Sequence, residues 1–209
     1  MKKVNVKITF LEGILGTSSA DPEIYTRFIG AKAPDAVSVE EEVEALGAES
    51  IVERGTTVFP RDDDGTPFLY DYQIKGFFKD ACSMLSRLSE KDPETGKKKK
   101  AKNESGKLTA YKKVIDGLIF VEPRKIRLES PGPVTICQRP LRAQTAQGER
   151  VALSSSEELP AGTTVTMTII CMDDNHWKAV KEWLGYGLFR GIGQWRNSGK
   201  GRFTWEVLD

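Results

Sequence analysis

The fold of this 209-residue chain is decided by residues 185–203, GYGLFRGIGQWRNSGKGRF, which hold six glycines in nineteen positions. Glycine allows positive φ and close approach of the backbone to a ligand, so successive N–H groups could face an anion. Trp195 offers a ring for base stacking, and four basic side chains offer charge for phosphates: Arg190, Arg196, Lys200 and Arg202. A glycine loop that only turns a corner of a sheet explains the same composition equally well.

The stretch matches neither of two common phosphate-binding motifs. Arg196 stands where a dinucleotide fingerprint that began at Gly191 and Gly193 would need its third glycine. A P-loop ends in Lys-Ser or Lys-Thr, whereas Lys200 is followed by glycine. The stretch must therefore be interpreted from the elements around it.

Helices and strands are predicted on both sides of the glycine-rich stretch. Alternating apolar residues predict a strand over 4–11, and apolar residues at spacings of three and four predict a helix over 74–88. A helix that begins at 174–176 and a strand over 202–208 enclose the stretch itself. Further predictions are helices over 21–28 and 38–46, a hairpin over 56–70, and strands over 117–121, 125–128, 134–139 and 163–171. This order is typical of an α+β fold in one domain.

Charge is distributed unevenly along the chain, although the net charge is only +1. Residues 1–74 carry 7 basic and 14 acidic side chains, and residues 75–142 carry 17 basic and 8 acidic ones. The middle third could therefore form a positive face, or it could be a solvated lysine-rich surface. Two segments are predicted to be insertions: an acidic helix within 31–54 and a mobile lysine-rich loop over 90–107.

Cysteine usage and hydropathy exclude several classes of protein. Cys82, Cys137 and Cys171 are odd in number and widely spaced, which indicates reduced thiols in a cytoplasmic protein. No apolar run approaches the roughly 20 residues that span a bilayer, so no membrane partner is expected. The aspartates at 62–64 belong to an Asp-Gly turn, and neither a metal site nor a cofactor is predicted.

Four motifs in chain order resemble the CRISPR-associated RAMP superfamily, and together they cover residues 4–208. The first is a strand that leads to the glycine turn at 13–16, and the second is the hairpin over 61–68 followed by Lys75-Gly76 at a helix start. The third is the segment 148–163 that enters the strand before the last helix, and the fourth is the glycine-rich stretch. Within the superfamily, the chain is most similar to backbone subunits of type III effector complexes.

The resemblance implies a ferredoxin-like fold, a modified RNA-recognition motif, that holds single-stranded guide RNA by its phosphates. It also implies a thumb hairpin, expected within 124–150, and subunits that stack head to tail in an antiviral effector. The residues expected to contact RNA are Lys75, Lys79, Arg139, Arg142, Arg190, Gly191, Gly193, Gln194, Trp195, Arg196, Gly199, Lys200, Gly201 and Arg202.

The chain departs from the superfamily pattern at two places. The superfamily usually has Pro-Gly-Ser-Ser before the Lys-Gly pair, where this chain has residues 70–73, YDYQ. Cleaving members carry an aspartate just before the hairpin, where this chain has Glu53-Arg54-Gly55. Asp21 or Asp35 could replace that aspartate, although each is also explained as a cap or turn residue.

Two other functions stay open at this point. An endoribonuclease would use His176, Tyr25 or Lys75 as acid or base, although His176 is also explained as a surface residue at a helix start. A solitary interaction module or inhibitor of a defence complex would fit the acidic first third and the modest net charge. Binding of RNA without cleavage is the main prediction.

Overall fold

The computed structural model describes residues 1–20, 55–91, 98–100, 103–145 and 148–208. In chain order the elements are β1 (Lys2–Phe10), β2 (Ile14–Leu15), β3 (Ser18–Ser19), β4 (Thr57–Val58), β5 (Phe68–Tyr70), α1 (Asp71–Leu85), β6 (Ser89–Lys91), β7 (Lys98–Lys100), α2 (Glu104–Lys107), α3 (Tyr111–Leu118), β8 (Ile119–Glu122), β9 (Lys125–Arg127), β10 (Thr135–Thr145), β11 (Gly148–Leu159), β12 (Thr164–Cys171), α4 (His176–Tyr186) and β13 (Phe203–Leu208). The predicted helices over 21–28 and 38–46 and the acidic insertion over 31–54 lie outside the described residues.

An antiparallel sheet of four strands in the order β13-β1-β12-β8 forms the centre of the fold. With α1 after β1 and α4 after β12, the chain runs β-α-β-β-α-β and the first strand lies in the middle of the sheet. This is the ferredoxin-like topology. The predicted α+β, ferredoxin-like class is therefore confirmed.

The core lies between one face of this sheet and the helices. Val6, Ile8 and Phe10 alternate with more exposed polar residues, as the period of a half-buried strand requires. The two long helices meet where Phe78 of α1 packs on Trp183 of α4, with ring centroids 5.5 Å apart. The indole N–H of Trp183 donates to the Ser105 hydroxyl at 2.9 Å, so this buried polar group is satisfied.

The strands β10 and β11 form a long hairpin in a second sheet. Its eleven residue pairs run from Thr135↔Glu158 to Thr145↔Gly148, a length of about 35 Å. Its base is joined to the domain because Leu159 and Glu158 pair with β2 and Ser156 pairs with β4. The hairpin thus occupies 135–159, whereas the predicted insertion over 124–150 also includes β9, which pairs with β5.

Two local predictions differ from the structure. Residues 89–91 and 98–100 pair as antiparallel strands and Glu104–Lys107 forms a helix turn, so the described parts of the predicted lysine-rich loop over 90–107 have regular structure. Helix α1 begins at Asp71 instead of residue 74, because the Gln73 side chain accepts a hydrogen bond from the Tyr70 N–H at 2.7 Å and caps an extra turn.

The Asp-Gly turn forms as predicted, with the Gly65 N–H donating to the Asp62 carbonyl at 2.9 Å. No helix in the described part of the chain is long and apolar enough to cross a bilayer.

The Cys171 thiol makes stability depend on pH above neutrality. Burial at the end of β12, aided by the negative charge of Asp174, raises the pKa of Cys171 to about 11. The folded state therefore binds the thiol proton more tightly than the unfolded state, and the resulting stability is lost as pH rises from about 9 to 11. In urea unfolding at pH 8 and pH 10.5, we expect Cys171→Ala to lose less stability between the two values than the wild type. An equal loss would contradict this assignment.

Candidate nucleic-acid interface

The glycine-rich stretch folds back on itself between α4 and β13. A Cβ at Gly191 would lie 2.2 Å from the Lys200 carbonyl oxygen, and a Cβ at Gly201 would lie 2.0 Å from the Ile192 carbonyl oxygen. A Cβ at Gly187 would meet the Phe203 ring at 2.1 Å. These positions therefore require glycine because a side chain would not fit. This agrees with the explanation of a purely structural glycine loop, which the sequence alone left open.

Backbone hydrogen bonds fix the loop to the end of β1. The Gly201 N–H donates to the Gly13 carbonyl at 3.0 Å, and the Ile192 N–H donates to the Gly201 carbonyl at 3.0 Å. Trp195 has a φ of 53°, a left-handed conformation that is uncommon for a bulky residue, and begins a single turn over Arg196–Ser198. The Trp195 side chain is left 40% exposed beside this turn.

Asp80 of α1 holds two arginines of the loop. Its carboxylate accepts from the Arg190 Nε at 2.6 Å and from the Arg196 guanidinium at 2.8 Å. The hydrogen bond that Arg190 donates to Asp80 raises the pKa of Arg190 above its ordinary value, so this guanidinium stays charged. Both side chains are thereby oriented before any ligand arrives, and each keeps N–H groups that Asp80 does not use.

Arg139 of β10 enters the same region from the hairpin. Its side chain is only 7% exposed, donates to the Gln194 side-chain oxygen at 2.6 Å and lies 5.3 Å from the centroid of the Trp195 ring. One terminal nitrogen of this guanidinium is buried without a hydrogen-bond partner. Among the described residues, Arg139 forms no ion pair, so no described carboxylate compensates its charge directly.

These residues line one open cleft of about 360 Å³, which we call the arginine cleft: Arg139, Arg190, Gly193, Gln194, Trp195, Arg196 and Asn197. Among the described residues, the three guanidinium groups have one ion-pairing carboxylate, that of Asp80, which leaves an excess of positive charge. Guanidinium groups bind phosphate oxygens in bidentate fashion, and an exposed indole face accepts a stacked base. The arrangement suits an anion that carries a flat ring.

Two other basic residues of the predicted site are paired with carboxylates outside the cleft. Lys200 forms an ion pair with Glu158, and Arg202 lies 3.2 Å from Glu12. The hairpin base and the end of β1 supply these acids, which the sequence places far away. Lys200 and Arg202 thus hold the glycine loop against its neighbours, and their charges are largely neutralised.

Lys75 and Lys79 lie on the opposite flank of α1. The Lys75 ammonium donates to the Asp116 carbonyl at 3.0 Å and lies 5.2 Å from the centroid of Phe120, while Lys79 pairs with the Asp116 carboxylate at 2.7 Å. They face α3 and β8, whereas Asp80 faces the glycine loop. The structure therefore does not bring these lysines into the arginine cleft.

The catalytic candidates are not gathered at the cleft. His176 begins α4, near the contact between the N-terminal amine and Asp174 at 3.4 Å. About 16 Å of helix separates it from the glycine loop at the other end of α4. Asp21, Asp35 and Tyr25 lie outside the described residues, as does the side chain of Arg142.

Sequence reasoning missed Asp80 and Asn197. Asn197 is one of the polar residues in the quoted stretch, and its place beside three basic residues was a usable signal. Asp80 stands in an amphipathic helix next to a lysine, where an acidic residue usually faces solvent. Its role depends on the docking of the loop against α1, which no local pattern encodes.

Comparison with known proteins gives matches in structure alone. The sequence matches no protein-family model and no curated protein. A chain of the type III-B Cmr-β complex, solved bound to cognate target RNA, is 12% identical with a TM-score of 0.52. The match covers 99% of this chain and 58% of that one, so this chain spans little more than half its length. A chain of a type IV-B CRISPR complex is 14% identical with a TM-score of 0.48, over 99% of this chain and 90% of that chain.

At these identities the likeness concerns the fold. The chain shares the fold of a subunit of an RNA-bound CRISPR complex, and this confirms at the level of the fold the resemblance indicated by the four sequence motifs. Six of the seven residues that line the arginine cleft belong to the stretch that carries the last of those motifs, and the seventh is Arg139 of β10.

Proposed function

We propose that this chain is a RAMP-type subunit of a CRISPR effector complex and that it binds single-stranded RNA at the arginine cleft without cleaving it. The observation that carries the proposal is Arg139, a buried guanidinium with an unpartnered nitrogen that lies on Trp195 and lines an open cleft. Burial of an uncompensated cation is costly. An anion in the cleft would offset that cost.

The local charge explains how a chain with a net charge of only +1 could bind a polyanion. Many basic side chains at the surface are paired with acids, as Lys200 is with Glu158. In the part of the chain that the structure describes, the arginine cleft instead holds three guanidinium groups with one ion-pairing carboxylate, Asp80. A phosphate could bind the N–H groups of Arg139 and Arg196, while a neighbouring base stacks on the exposed face of Trp195.

The surroundings of the cleft support a place in an assembly along RNA. The matched chain belongs to a complex solved bound to target RNA, which supports RNA as the ligand. The β10–β11 hairpin continues from Arg139 to Thr145, about 20 Å beyond the cleft, which is far enough to reach several nucleotides or an adjacent subunit. Stacking of copies head to tail is part of the proposal, because such a contact does not close on itself and can follow a strand.

The main test is the binding of a 30-nucleotide single-stranded RNA, measured by fluorescence anisotropy at 50 and 200 mM salt. Contact with three phosphates gives a slope of log affinity against log salt of about −2 for a single strand. We therefore expect affinity to fall about fifteenfold between the two salt concentrations. The physical reason is that binding releases counterions from the RNA, and this release is less favourable when the salt concentration of the solution is higher.

The same titration separates the alternatives. A protein that binds only other proteins would show no affinity for RNA at 50 mM salt, and this result would exclude the proposed function. Fragments that accumulate with time would identify an endoribonuclease. Gel analysis of the RNA after an overnight incubation detects such fragments, and we expect intact RNA.

A further inference from the structure

The side-chain amide of Gln194 is held in one orientation by Arg139. A guanidinium group has only N–H donors, so the amide atom that faces it must be the oxygen. The Gln194 Oε1 accepts from Arg139 at 2.6 Å. Arg139 is itself only 7% exposed and lies against the ring of Trp195, so it has little freedom to release the amide. Because Gln194 lines the arginine cleft, its NH2 group is the part left to meet a ligand.

The carboxylate that pairs with the other two arginines is also occupied. The Oδ2 atom of Asp80 accepts from the Arg190 Nε at 2.6 Å and from Arg196 at 2.8 Å, and its Oδ1 atom accepts from Arg190 at 3.4 Å. Both oxygens of Asp80 are therefore directed at protein donors. What Arg190 and Arg196 offer to a ligand is their remaining N–H groups.

Within the described part of the chain, the side chains that are held in place at the cleft thus offer donors to a ligand. They are Arg139, Arg190, Gln194 and Arg196. Asn197 also lines the cleft, but it is exposed and its amide can present either a donor or an acceptor. A flat ligand in this cleft must therefore bring acceptors on the edge that faces these groups.

The four RNA bases differ in the acceptors that they bring. Guanine carries two adjacent acceptors, N7 and O6, and arginine binds this edge in bidentate fashion. Adenine has an amino group in place of O6, and cytosine also carries an amino donor. Uracil has a carbonyl there but offers a single ring for stacking. Because Arg139 covers one face of Trp195 and the side chain is 40% exposed, one base can stack on the opposite face.

We propose that the arginine cleft selects guanine and that Gln194, held by Arg139, is the residue that excludes adenine. This inference rests on the proposed function and adds a base preference to it. The N7 and O6 atoms of guanine would accept from N–H groups of the cleft while the ring stacks on Trp195. Adenine would direct its amino group at the Gln194 NH2 group, so two donors would face each other without an acceptor.

The first test uses nucleoside 3′,5′-bisphosphates, which carry one base between two phosphates, as competitors of the fluorescent 30-nucleotide RNA. We expect the guanosine compound to displace the RNA at about a tenfold lower concentration than the adenosine compound. The inosine compound keeps N7 and O6 and should match guanosine within about twofold. The 7-deazaguanosine compound lacks N7 and should bind about tenfold more weakly than guanosine, the loss of one charge-assisted hydrogen bond.

The second test assigns the preference to Gln194. In Gln194→Glu, one carboxylate oxygen still accepts from Arg139, but the other presents an acceptor in place of the NH2 donor. The added charge lowers the affinity for every nucleotide, so the quantity to compare is the ratio of guanosine to adenosine affinity. We expect this ratio to fall from about ten to about one or less. A change in loop stability alone would not alter the ratio.

Asn197→Asp is the matched control, because it adds the same charge to the same cleft. It should weaken both nucleotides and keep the ratio near that of the wild type. If the wild-type protein binds the 30-nucleotide RNA but guanosine and adenosine compounds compete equally, the base preference is wrong and the proposed function stands. A ratio unchanged in Gln194→Glu would likewise overturn the role of Gln194. If the wild-type protein does not bind the RNA, the proposed function fails and this inference fails with it.

Discussion

Replacement of Gly201 by alanine is expected to lower the free energy of unfolding by about 2–5 kcal/mol, because two costs add. Gly201 has a φ of 70°, a left-handed conformation that a side chain disfavours. Its added Cβ would also lie 2.0 Å from the Ile192 carbonyl oxygen, so the loop backbone would have to move. Urea unfolding followed by circular dichroism measures the change.

Gly199→Ala is the matched control for this prediction. Gly199 also has a left-handed φ, 89°, but an added Cβ would meet only the Arg202 side chain, at 3.5 Å. We expect it to cost about 1–2 kcal/mol, the conformational part alone. Equal losses in the two variants would show that close packing of the glycine loop contributes nothing measurable.

The second large effect is expected at the arginine cleft. Substitution of Arg139, Arg190 and Arg196 together by glutamine should lower the affinity for single-stranded RNA by about a hundredfold or more, since each lost phosphate contact is worth about 1 kcal/mol or more. Glutamine keeps part of the side-chain volume and its hydrogen-bonding groups. The salt dependence should become shallower in the same titration, because fewer counterions are released.

A charge-matched control separates the cleft from general electrostatics. Lys3, Lys178 and Lys181 are exposed on the sheet and on α4, and their joint substitution by glutamine removes the same charge. We expect this variant to lose far less affinity than the cleft variant. Equal losses would mean that RNA is attracted by overall charge, and the cleft would lose its special role. Thermal unfolding of both variants checks that each is folded.

The basic residues that are paired with carboxylates are expected to respond differently to substitution. Lys200 and Arg202 stand in the same stretch as Arg196, and the sequence gives no reason to rank them. Because Glu158 and Glu12 neutralise them, their substitution should act on the loop more than on RNA. Only the fold distinguishes a basic side chain that is available to a ligand from one that is already paired.

Much of the fold could be predicted because its signals are local. The alternation over β1 and the spacing of apolar residues in α1 each report burial on one face of an element. The hairpin was harder to predict, since residues 139–150 are polar and do not resemble a core strand. They form strands because β10 and β11 pair with each other through their backbones, and that pairing does not depend on apolar side chains.

The α+β class, strand β1, helix α1, the glycine-rich stretch and the resemblance carried by four ordered motifs could be established from the sequence. Those features depend on residues close together in the chain, where the spacing along a helix or strand determines which residues lie on the same face. The tertiary structure alone decided which cations share a cleft, that Asp80 orients two of them, and that Lys75 and Lys79 lie on the other flank of α1. Arg139 and Gln194 are 55 positions apart and yet 2.6 Å from donor to acceptor, because the hairpin base and the glycine loop dock on the same end of the sheet.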